Sequence, residues 1–272
     1  MISFPNCKIN IGLNIVAKRS DGFHDIETVF YPLTLCDALE VLPAVHSTDE
    51  FVSEGEKMDG DTEQNLCMKA LRLMQKEIDV QPVKIVLMKK IPVGAGLGGG
   101  SSDAAFTLKM INTFSGAGLS NERLTEMSSV LGSDCAFFMI NKPVYACAKG
   151  EMMSPVLLNL AGFTIVVVKP PLFVSTAEAY AGTFPVIPER SLKEMIQLPV
   201  SEWRGVIMND FEKTIFPKFP QIAAIKTRMY EMGAIYASMS GSGSSVFGIF
   251  SKPVNAPEEF PGCFYHEEKA IM

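Results

Sequence analysis

Residues 90–105 read KIPVGAGLGGGSSDAA, a stretch in which positions 94, 96, 98, 99 and 100 are all glycine. Glycine lets the backbone adopt positive φ angles and approach a ligand closely. Just upstream, residues 83–88 are largely apolar and rich in branched side chains, and they lie between Pro82 and Pro92. This pattern predicts a strand that leads directly into a glycine loop.

The residues after the loop predict a helix. Ala104, Leu108 and Ile111 are spaced so that they share one helix face. Ser101 or Ser102 is a suitable N-cap for that helix. A helix N-terminus presents unpaired N–H groups and a partial positive charge, and both favour phosphate. The loop and the helix start together therefore predict a phosphate-binding site.

The glycine pattern alone fits more than one class of protein. Gly94, Gly96 and Gly99 satisfy the G-x-G-x-x-G of dinucleotide-binding folds, but no Asp or Glu lies near position 115 to bind the ribose. A P-loop requires Lys where Gly100 stands, and a protein kinase requires H-R-D and D-F-G segments that the sequence lacks. A surface loop without a ligand is the remaining alternative, although glycine loops in this context usually bind something.

Composition narrows the function further. The chain has 272 residues and 47% apolar content, which is enough for one large domain or two moderate ones. A net charge of −6 argues against nucleic-acid binding, and six cysteines without a C-x-x-C pair argue against a disulfide frame or a zinc site. No stretch is long and apolar enough to span a bilayer, and the N-terminus lacks the apolar core of a signal peptide. We therefore expect a cytoplasmic protein without a membrane partner.

Strands and helices are predicted in clusters along the rest of the chain. Residues 121–131 predict a helix, and the acidic residues 49–61 predict an exposed loop. Residues 235–239 and 246–250 predict two strands around a second glycine–serine loop at 240–245. Because strands and helices do not alternate strictly, the sequence predicts an α+β fold.

Three segments together resemble the motifs of the GHMP kinases, the superfamily of galactokinase, homoserine kinase, mevalonate kinase and phosphomevalonate kinase. These segments are PNCKINIGL at 5–13, PVGAGLGGGSSDAA at 92–105 and MSGSGSSVF at 239–247. The middle segment fits the family outline P-x-x-x-G-L-G-S-S-A-A, with extra glycine before the serines and with Asp103 after them. Further matches to one member of the superfamily are DGFH at 21–24, LGSD at 131–134 and NDFE at 209–212, while Cys7 replaces the usual Ala. The resemblance covers nearly the whole chain.

The resemblance implies a two-lobed α+β kinase with its active site in the cleft between the lobes. Residues 1–150 would form the ATP-binding and catalytic domain, and residues 151–272 the substrate-side domain. It also implies transfer of a phosphoryl group from ATP, with Mg²⁺, to a hydroxyl group of a small molecule. The middle-motif variant and the DGFH segment point to cytidine diphosphate methylerythritol as that molecule, in non-mevalonate isoprenoid biosynthesis. The metal ligands stay unassigned, and the oligomeric state stays open between monomer and homodimer.

The resemblance implies catalytic roles for Lys8 and Asp134. Asp134 would act as general base towards the substrate hydroxyl, while Lys8 would hold it ionised and meet the developing charge. A carboxylate beside a cation is a weak base, so the alternative is that Asp134 orients the hydroxyl and catalysis is positional. Without the motifs, Asp134 would be interpreted as a turn or capping residue after Gly132. Lys8 stands between Cys7 and Ile9 in an apolar stretch, where an unpaired charge would be costly.

The nucleotide would be bound by the glycine loop, with Asn65 and Lys90 beside the adenosine. The loop residues assigned to this role are Pro92, Val93, Gly94, Ala95, Gly96, Leu97, Gly98, Gly99, Gly100, Ser101 and Ser102.

A second set of residues would bind the phosphate acceptor. Asn10 would contact the methylerythritol part, Phe23 would stack on the cytosine ring, and His24 would hydrogen-bond its edge. Tyr180 would add an aromatic wall, and Gly241, Ser242 and Gly243 would close over the site. The alternatives are ordinary packing for the two larger aromatic residues, a turn role for the histidine, and a tight hairpin for the loop.

Three other functions compete with this interpretation. Another GHMP kinase, of the homoserine or mevalonate type, is disfavoured by the DGFH segment. A non-catalytic nucleotide or sugar sensor on the same fold would be expected to lack Lys8 or Asp134, and both are present. A dinucleotide-dependent oxidoreductase is opposed by the missing acidic residue after the loop.

Overall fold

The computed structural model describes residues 1–56 and 60–271 and divides the chain into two compact units. The first unit comprises Met1–Cys7, Thr34–Val93 and Gly98–Asn141. The second comprises Lys8–Leu33, Gly94–Leu97 and Lys142–Met272. Each unit is therefore assembled from segments that are distant in the sequence.

In the described residues of the first unit, one four-stranded sheet combines with four α-helices. Its strands, in the sheet order β1-β4-β6-β5, are β1 (Ile2–Ser3), β4 (Ala38–Pro43), β6 (Val83–Lys89) and β5 (Glu50–Gly55). Its helices are α1 (Leu66–Glu77), α2 (Gly99–Phe114), α3 (Asn121–Leu131) and α4 (Cys135–Ile140). Only β5 runs parallel to its neighbour β6; the pairs β1–β4 and β4–β6 are antiparallel.

Alternation along β6 builds the core of the first unit. Val83, Ile85 and Leu87 are buried and contribute to one apolar cluster with residues of α1, α2 and α3. Each such side chain contributes roughly 1.5–3 kcal/mol when it is fully removed from water. The same alternation places Lys89 on the buried side of the strand. Asn65 caps α1 by accepting a 2.8 Å hydrogen bond from the Cys67 N–H.

Up to residue 271, the second unit forms two four-stranded sheets. The first sheet has the order β2-β3-β7-β8, with β2 (Asn6–Lys18), β3 (His24–Cys36), β7 (Val144–Cys147) and β8 (Met152–Pro155). The second has the order β10-β11-β9-β12, with β9 (Thr164–Lys169), β10 (Tyr236–Met239), β11 (Val246–Phe250) and β12 (Phe264–Lys269). The helices are α5 (Thr176–Tyr180), α6 (Leu192–Met195), α7 (Phe211–Lys218) and α8 (Pro220–Glu231).

The core of the second unit joins the start of the chain to its end. Leu13, Ile15 and Ile26 pack in one buried cluster with residues of β9, α7, α8 and β11. The first two of these residues lie on β2, which therefore depends on the C-terminal half of the chain for its packing.

The α+β prediction is confirmed, because the sheets are mostly antiparallel and the helices follow in groups. The helix predicted at 121–131 is α3, which Ser120 caps. The prediction of a loop over 49–61 is wrong for residues 50–55, which form β5 because their backbone pairs with β6; residues 57–59 lie outside the described part of the chain. The functional division at residue 150 stays a prediction. No helix in the described residues is long and apolar enough to cross a membrane.

Candidate active site

The first part of the glycine loop, Gly94–Leu97, belongs to the second unit and contacts the loop at 240–245. Gly96 has a φ of +74°, and a Cβ atom added there would lie 2.0 Å from the Ser240 carbonyl oxygen. Ser240 Oγ donates a 2.8 Å hydrogen bond to the Gly96 carbonyl oxygen, and the Ser245 N–H donates a 3.2 Å bond to Ala95. Two of the three glycine and serine motifs therefore meet in direct contact.

Lys8 and Asn10, both on β2, form a buried pair beside this contact. Lys8 Nζ lies 2.5 Å from Asn10 Oδ1 and 3.3 Å from the Gly96 carbonyl oxygen, and both side chains are almost fully buried. Asn10 Nδ2 donates a 2.9 Å bond to Thr28 Oγ1, which fixes the amide orientation so that its oxygen faces the ammonium group. The two residues that the sequence assigned to catalysis and to acceptor binding are thus adjacent. A buried cation held in this way can stabilise charge that develops on a phosphoryl group.

The loop at 240–245 is the hairpin that joins β10 to β11, whose residues Met239 and Val246 pair directly. The alternative interpretation of residues 240–245 as a tight hairpin is therefore correct for the backbone of this loop. The loop also reaches β2, because Ser240 Oγ accepts a 3.1 Å hydrogen bond from the Asn10 N–H. A Cβ on Gly241 would lie 3.2 Å from Asn10 Oδ1, so the loop backbone approaches the Lys8 and Asn10 pair closely.

The second part of the glycine loop starts α2 in the first unit. Gly98, at φ +69°, occupies the N-cap position, and no side chain caps the helix. The prediction that Ser101 or Ser102 is the N-cap is therefore wrong, since both lie inside the helix and the Ser102 N–H already bonds the Gly98 carbonyl oxygen. The left-handed conformation of Gly98 lets the helix begin earlier than a serine cap would allow. An uncapped first turn keeps its N–H groups available to an anionic ligand.

Asp134 also belongs to the first unit and immediately precedes α4. It makes no capping hydrogen bond to that helix, so its side chain does not serve as the cap that its position would suggest. Ser101 lies near this segment, because a Cβ on Gly132 would be 4.0 Å from Ser101 Oγ. The structure thus places Ser101 of α2 near the segment that contains Asp134, while Lys8 and Asn10 belong to the second unit.

A pocket of about 290 Å³ lies in the first unit between β5 and the start of α1. Its lining includes Phe51, Thr62, Asn65 and Val93. Two residues that the sequence assigned to the nucleotide, Asn65 and Val93, therefore share one cavity. The volume and the mixed apolar and polar lining suit a ring system with a few hydrogen-bonding groups.

The aromatic residues assigned to the acceptor are partly brought together. His24 and Tyr180 are stacked with ring centroids 4.7 Å apart and an interplanar angle of 17°. Phe211 meets Tyr180 edge-on at 4.8 Å, which braces the stack. Phe23 is exposed, and its ring lies 5.2 Å from Lys149 Nζ. The exposed ring of Phe23 offers a face on which a planar base could lie.

A buried ion cluster was not predicted. Lys89 Nζ contacts Asp37, lies 2.8 Å from Asp103 Oδ2, and would be 2.9 Å from a Cβ on Gly99 at the first turn of α2. Asp37 Oδ1 accepts hydrogen bonds from the Lys90 and Ile91 N–H groups, at 2.5 and 2.7 Å, where β6 ends and the loop begins.

Burial raises the pKa of Asp103 to about 7; the charge of Asp37 adds to this effect, and Lys89 opposes it. Lys90, which the sequence assigned to the nucleotide, is exposed. The alternation of β6 was the signal that distinguishes the buried Lys89 from its neighbour. Among the described residues, no group of three or more His, Cys, Asp or Glu side chains is arranged to hold a metal ion.

Comparison with known proteins gives consistent matches. The family model of the GHMP kinases N terminal domain matches residues 65–142, and that of the GHMP kinases C terminal matches residues 188–260. The chain is 52% identical to the 4-diphosphocytidyl-2-C-methyl-D-erythritol kinase of Bacteroides fragilis strain YCH46, over 99% of this chain and 100% of the relative. It is 49% identical to the enzyme of the same name from Parabacteroides distasonis, over 98% of both chains.

Solved structures agree with these relatives. A crystal structure of 4-(cytidine 5'-diphospho)-2C-methyl-D-erythritol kinase matches with a TM-score of 0.81 and 29% identity, and the match covers 99% of this chain and 100% of the other. A homoserine kinase from Cytophaga hutchinsonii matches with a TM-score of 0.65 at 18% identity, covering 98% of this chain and 95% of the other, which indicates a shared fold. The chain belongs to the GHMP kinases and, within them, to the family of the 4-diphosphocytidyl-2-C-methyl-D-erythritol kinases.

Proposed function

We propose that this kinase transfers the γ-phosphoryl group of ATP to the 2-hydroxyl of 4-diphosphocytidyl-2-C-methyl-D-erythritol, in non-mevalonate isoprenoid precursor biosynthesis. Membership of the GHMP kinases makes the chain an ATP-dependent phosphotransferase that acts on a small molecule. The observation that carries the proposal is the glycine loop that enters α2 without a side-chain cap, in a chain that matches kinases of this name along its whole length. The same relatives favour this function over the homoserine kinase, mevalonate kinase and sensor alternatives.

The phosphates of ATP are proposed to lie against the first turn of α2. Backbone N–H groups at a helix N-terminus and the helix dipole both stabilise negative charge. The proposed cradle is residues 92–102, in which glycine at positions 94, 96 and 98 adopts positive φ values that other residues rarely adopt. The adenosine half is proposed to occupy the pocket lined by Asn65 and Val93. Lys90 is proposed to approach the adenosine from outside that lining, since it is exposed.

Lys8 and Asp134 are proposed as the catalytic residues. In the transfer step, the substrate 2-hydroxyl oxygen forms a bond to the γ-phosphorus, the bond from that phosphorus to the bridging β–γ oxygen breaks, and ADP leaves. Asp134 receives the hydroxyl proton or orients the hydroxyl, and Lys8 offsets charge on the transferred group. The Asn10 amide supports this role because its oxygen holds the Lys8 ammonium group in one position.

The acceptor is proposed to bind beside β2. The methylerythritol part would contact Asn10, and Gly241, Ser242 and Gly243 would lie over it. The cytosine ring would stack on Phe23 and meet the His24 and Tyr180 stack. The exposure of Phe23 and the 4.7 Å stacking of the other two rings support this assignment.

Mg²⁺ is proposed to arrive with the ATP phosphates. The described residues do not form a dedicated metal cage. Mg²⁺ commonly keeps several water ligands and is bound through substrate phosphates, where it neutralises their charge. We also propose that the enzyme works in the cytoplasm. We expect no nucleic-acid partner, because nucleic-acid binding requires a positively charged surface and the net charge is −6. The oligomeric state stays open between monomer and homodimer.

A coupled assay for ADP release tests the proposal. Wild-type protein should turn over 4-diphosphocytidyl-2-C-methyl-D-erythritol with ATP and Mg²⁺, and should not turn over homoserine or mevalonate. Asp134→Asn should lower kcat by at least ~10²-fold, since the amide cannot accept the proton. Glu126→Gln is a matched control in the same unit, because its carboxylate is exposed and pairs only with Arg123 among the described contacts.

Two results would contradict parts of the proposal. Absence of turnover with this substrate, by a protein that still binds ADP, would reject the substrate. Normal turnover by Asp134→Asn would keep the function and remove Asp134 from the chemistry.

A further inference from the structure

The segment Asn209, Asp210, Phe211 and Glu212 matches a kinase motif, yet none of the roles proposed above uses it. It lies at the start of α7, immediately after a one-residue parallel bridge between Leu13 and Asn209. Its polar side chains point in two directions, towards the 240–245 loop and towards β2.

Asn209 holds the 240–245 loop at its base. Its side-chain Nδ2 donates hydrogen bonds of 2.7 and 2.8 Å to the carbonyl oxygens of Met239 and Gly241. Its Oδ1 accepts a 3.0 Å bond from the Phe211 N–H, which fixes the orientation of the amide. The residue is 1% exposed, so these bonds form away from competing water. One buried amide group therefore supplies the shortest bond to the Met239 carbonyl oxygen, which Ser238 Oγ also approaches at 3.4 Å, and a bond to the Gly241 carbonyl oxygen.

Glu212 is hydrogen-bonded to the end of β10, the strand that precedes the same loop. Its Oε1 accepts a 2.9 Å bond from the Met239 N–H and a 3.1 Å bond from Ser238 Oγ. Its Oε2 pairs with Lys226 Nζ at 2.6 Å. Asn209 and Glu212 thus bond the carbonyl oxygen and the N–H of one residue, Met239, on the edge of β10 that does not pair with β11.

Asp210 bonds the same segment to β2. Its Oδ2 accepts a 2.9 Å hydrogen bond from the Ile15 N–H, and its own N–H donates a 2.8 Å bond to the Leu13 carbonyl oxygen. β2 is the strand that carries Lys8 and Asn10. The segment therefore connects the strand of the proposed catalytic lysine with the loop that lies against it.

The loop depends on such support because of its composition. Residues 240–245 read SGSGSS, so no large side chain anchors the loop by its own packing. Glycine also leaves a backbone more freedom to lose on ordering than any other residue. Ser240 must nevertheless be placed accurately, since its Oγ bonds both the Asn10 N–H and the Gly96 carbonyl oxygen.

We propose that Asn209, Asp210 and Glu212 are positioning residues that hold the 240–245 loop against Lys8, Asn10 and the glycine loop. They act through the backbone of Met239, Gly241 and β2 and do not touch the reacting atoms. This inference rests on the proposed function, because it assigns the loop to acceptor binding. Loss of the Asn209 amide removes a short donated bond from each of two carbonyl oxygens, those of Met239 and Gly241, which displaces the loop.

Binding of two nucleotide fragments without turnover tests the inference. Cytidine 5'-diphosphate probes the acceptor side and ADP probes the nucleotide side, both by calorimetry. Asn209→Asp keeps the shape of the side chain but removes both donated bonds, and should weaken binding of cytidine diphosphate by about tenfold. Binding of ADP should weaken less than that of cytidine diphosphate, since the pocket proposed for its adenosine half is formed by residues of the first unit and, in the described part of the chain, only Gly94–Leu97 of the phosphate cradle contacts the loop.

Two further variants separate positioning from general stability. Glu212→Gln keeps the acceptor for the Met239 N–H and should bind cytidine diphosphate nearly as wild type does. Ile215→Val, at a fully buried position of α7 in the same core cluster as Met239, lowers packing energy but removes none of the hydrogen bonds to the loop, and should leave both affinities unchanged. Fluorescence of Trp203, the single tryptophan, checks that each variant is folded around the segment.

Hydrogen exchange of the loop amides provides a readout that needs no ligand. Amides of residues 240–245 should exchange faster in Asn209→Asp than in Ile215→Val. Equal cytidine diphosphate affinity and equal loop exchange in Asn209→Asp and wild type would overturn the inference. If wild type binds ADP but no cytidine diphosphate, the proposed substrate is wrong, and unchanged loop exchange in Asn209→Asp would then overturn the positioning role separately.

Discussion

Gly96 and Ser240 contact each other through their backbones so closely that no side chain fits between them. A Cβ on Gly96 would lie 2.0 Å from the Ser240 carbonyl oxygen, and Ser240 Oγ already bonds the Gly96 carbonyl oxygen at 2.8 Å. Position 96 therefore has to be glycine for two independent reasons, the close contact and the positive φ of +74°.

Gly96→Ala should abolish activity. The added methyl group meets backbone, which cannot rotate away as a side chain can, so the glycine loop or the 240–245 loop must move. We expect kcat/KM to fall by at least ~10²-fold, since misplacement of about 1 Å near a reacting group has that effect. Gly118→Ala is the matched control, because its φ is +66° but nothing lies within 4 Å of the added Cβ. Equal activity of the two variants would contradict the importance of this contact.

Lys8→Met should lower kcat by at least ~10²-fold, and it should also lower stability by roughly 1–3 kcal/mol because the Asn10 Oδ1 and Gly96 carbonyl oxygens lose a buried donor. Methionine nearly matches the volume of the buried lysine stem but lacks the charge that would stabilise the transferred phosphoryl group. Lys18→Met, at the exposed end of the same strand, should behave as wild type. Steady-state kinetics and thermal unfolding measure both effects. A Lys8→Met protein that loses stability but keeps its kcat would assign Lys8 a structural role only.

Val93→Trp should raise the KM for ATP and leave that for the phosphate acceptor unchanged. Val93 lines the 290 Å³ pocket and is 45% exposed, so a larger side chain can narrow the pocket without disturbing the core. Val130→Trp, at a position 76% exposed on α3, controls for the added indole. If the indole prevents the adenine ring from packing in the pocket, KM for ATP should rise about tenfold. Unchanged KM values would show that the adenosine binds elsewhere.

Asp103 should make stability depend on pH. Burial raises its folded-state pKa to about 7, so the folded protein retains a proton that the unfolded chain releases near pH 4. Stability falls with rising pH wherever the folded state binds more protons than the unfolded state. The contribution of Asp103 is therefore most favourable below about pH 4, is lost progressively up to about pH 7, and stays constant above that.

Comparison of wild type with Asp103→Asn isolates this contribution. Denaturant unfolding at pH values from 4 to 8 gives the free energy of unfolding of each protein. The value for wild type minus the value for the variant should decrease as the pH rises to about 7. A difference that is independent of pH would mean that Asp103 stays ionised throughout, held by Lys89.

Local sequence signals predicted the elements that depend on local interactions. β6, the glycine loop and α3 follow from apolar periodicity, glycine content and a serine cap, and each lies close to its predicted bounds. β5 was missed because its residues, EFVSEG, are polar and mostly exposed, so its strand conformation comes from pairing with β6. The N-cap of α2 was assigned to a serine because serine is a common capping residue. The helix instead begins after Gly98, whose left-handed conformation could not be predicted from the neighbouring serines.

Motifs allowed roles to be proposed for some residues of the candidate site, but long-range contacts could not be predicted from the sequence. Lys8, Asn10 and Gly96 were assigned from sequence segments, and the structure places them together. Asn209 bonds residues about thirty positions away, and Asp37 bonds residues more than fifty positions away. Neither separation produces a periodic pattern, so sequence spacing could not indicate what these side chains contact.

The second unit is built from segments near both ends of the chain, and this determines when it can form during synthesis. Leu13, Ile15 and Ile26 pack with strands and helices that follow residue 142, while the first unit is completed by residue 141. At translation rates of about 5–20 residues per second, synthesis of the strands and helices that pack against β2 and β3 takes on the order of ten seconds more. The ribosome therefore presents an apolar hairpin, β2 and β3, that has left the exit tunnel before its partners exist. We expect this hairpin to be the segment that a nascent-chain chaperone protects.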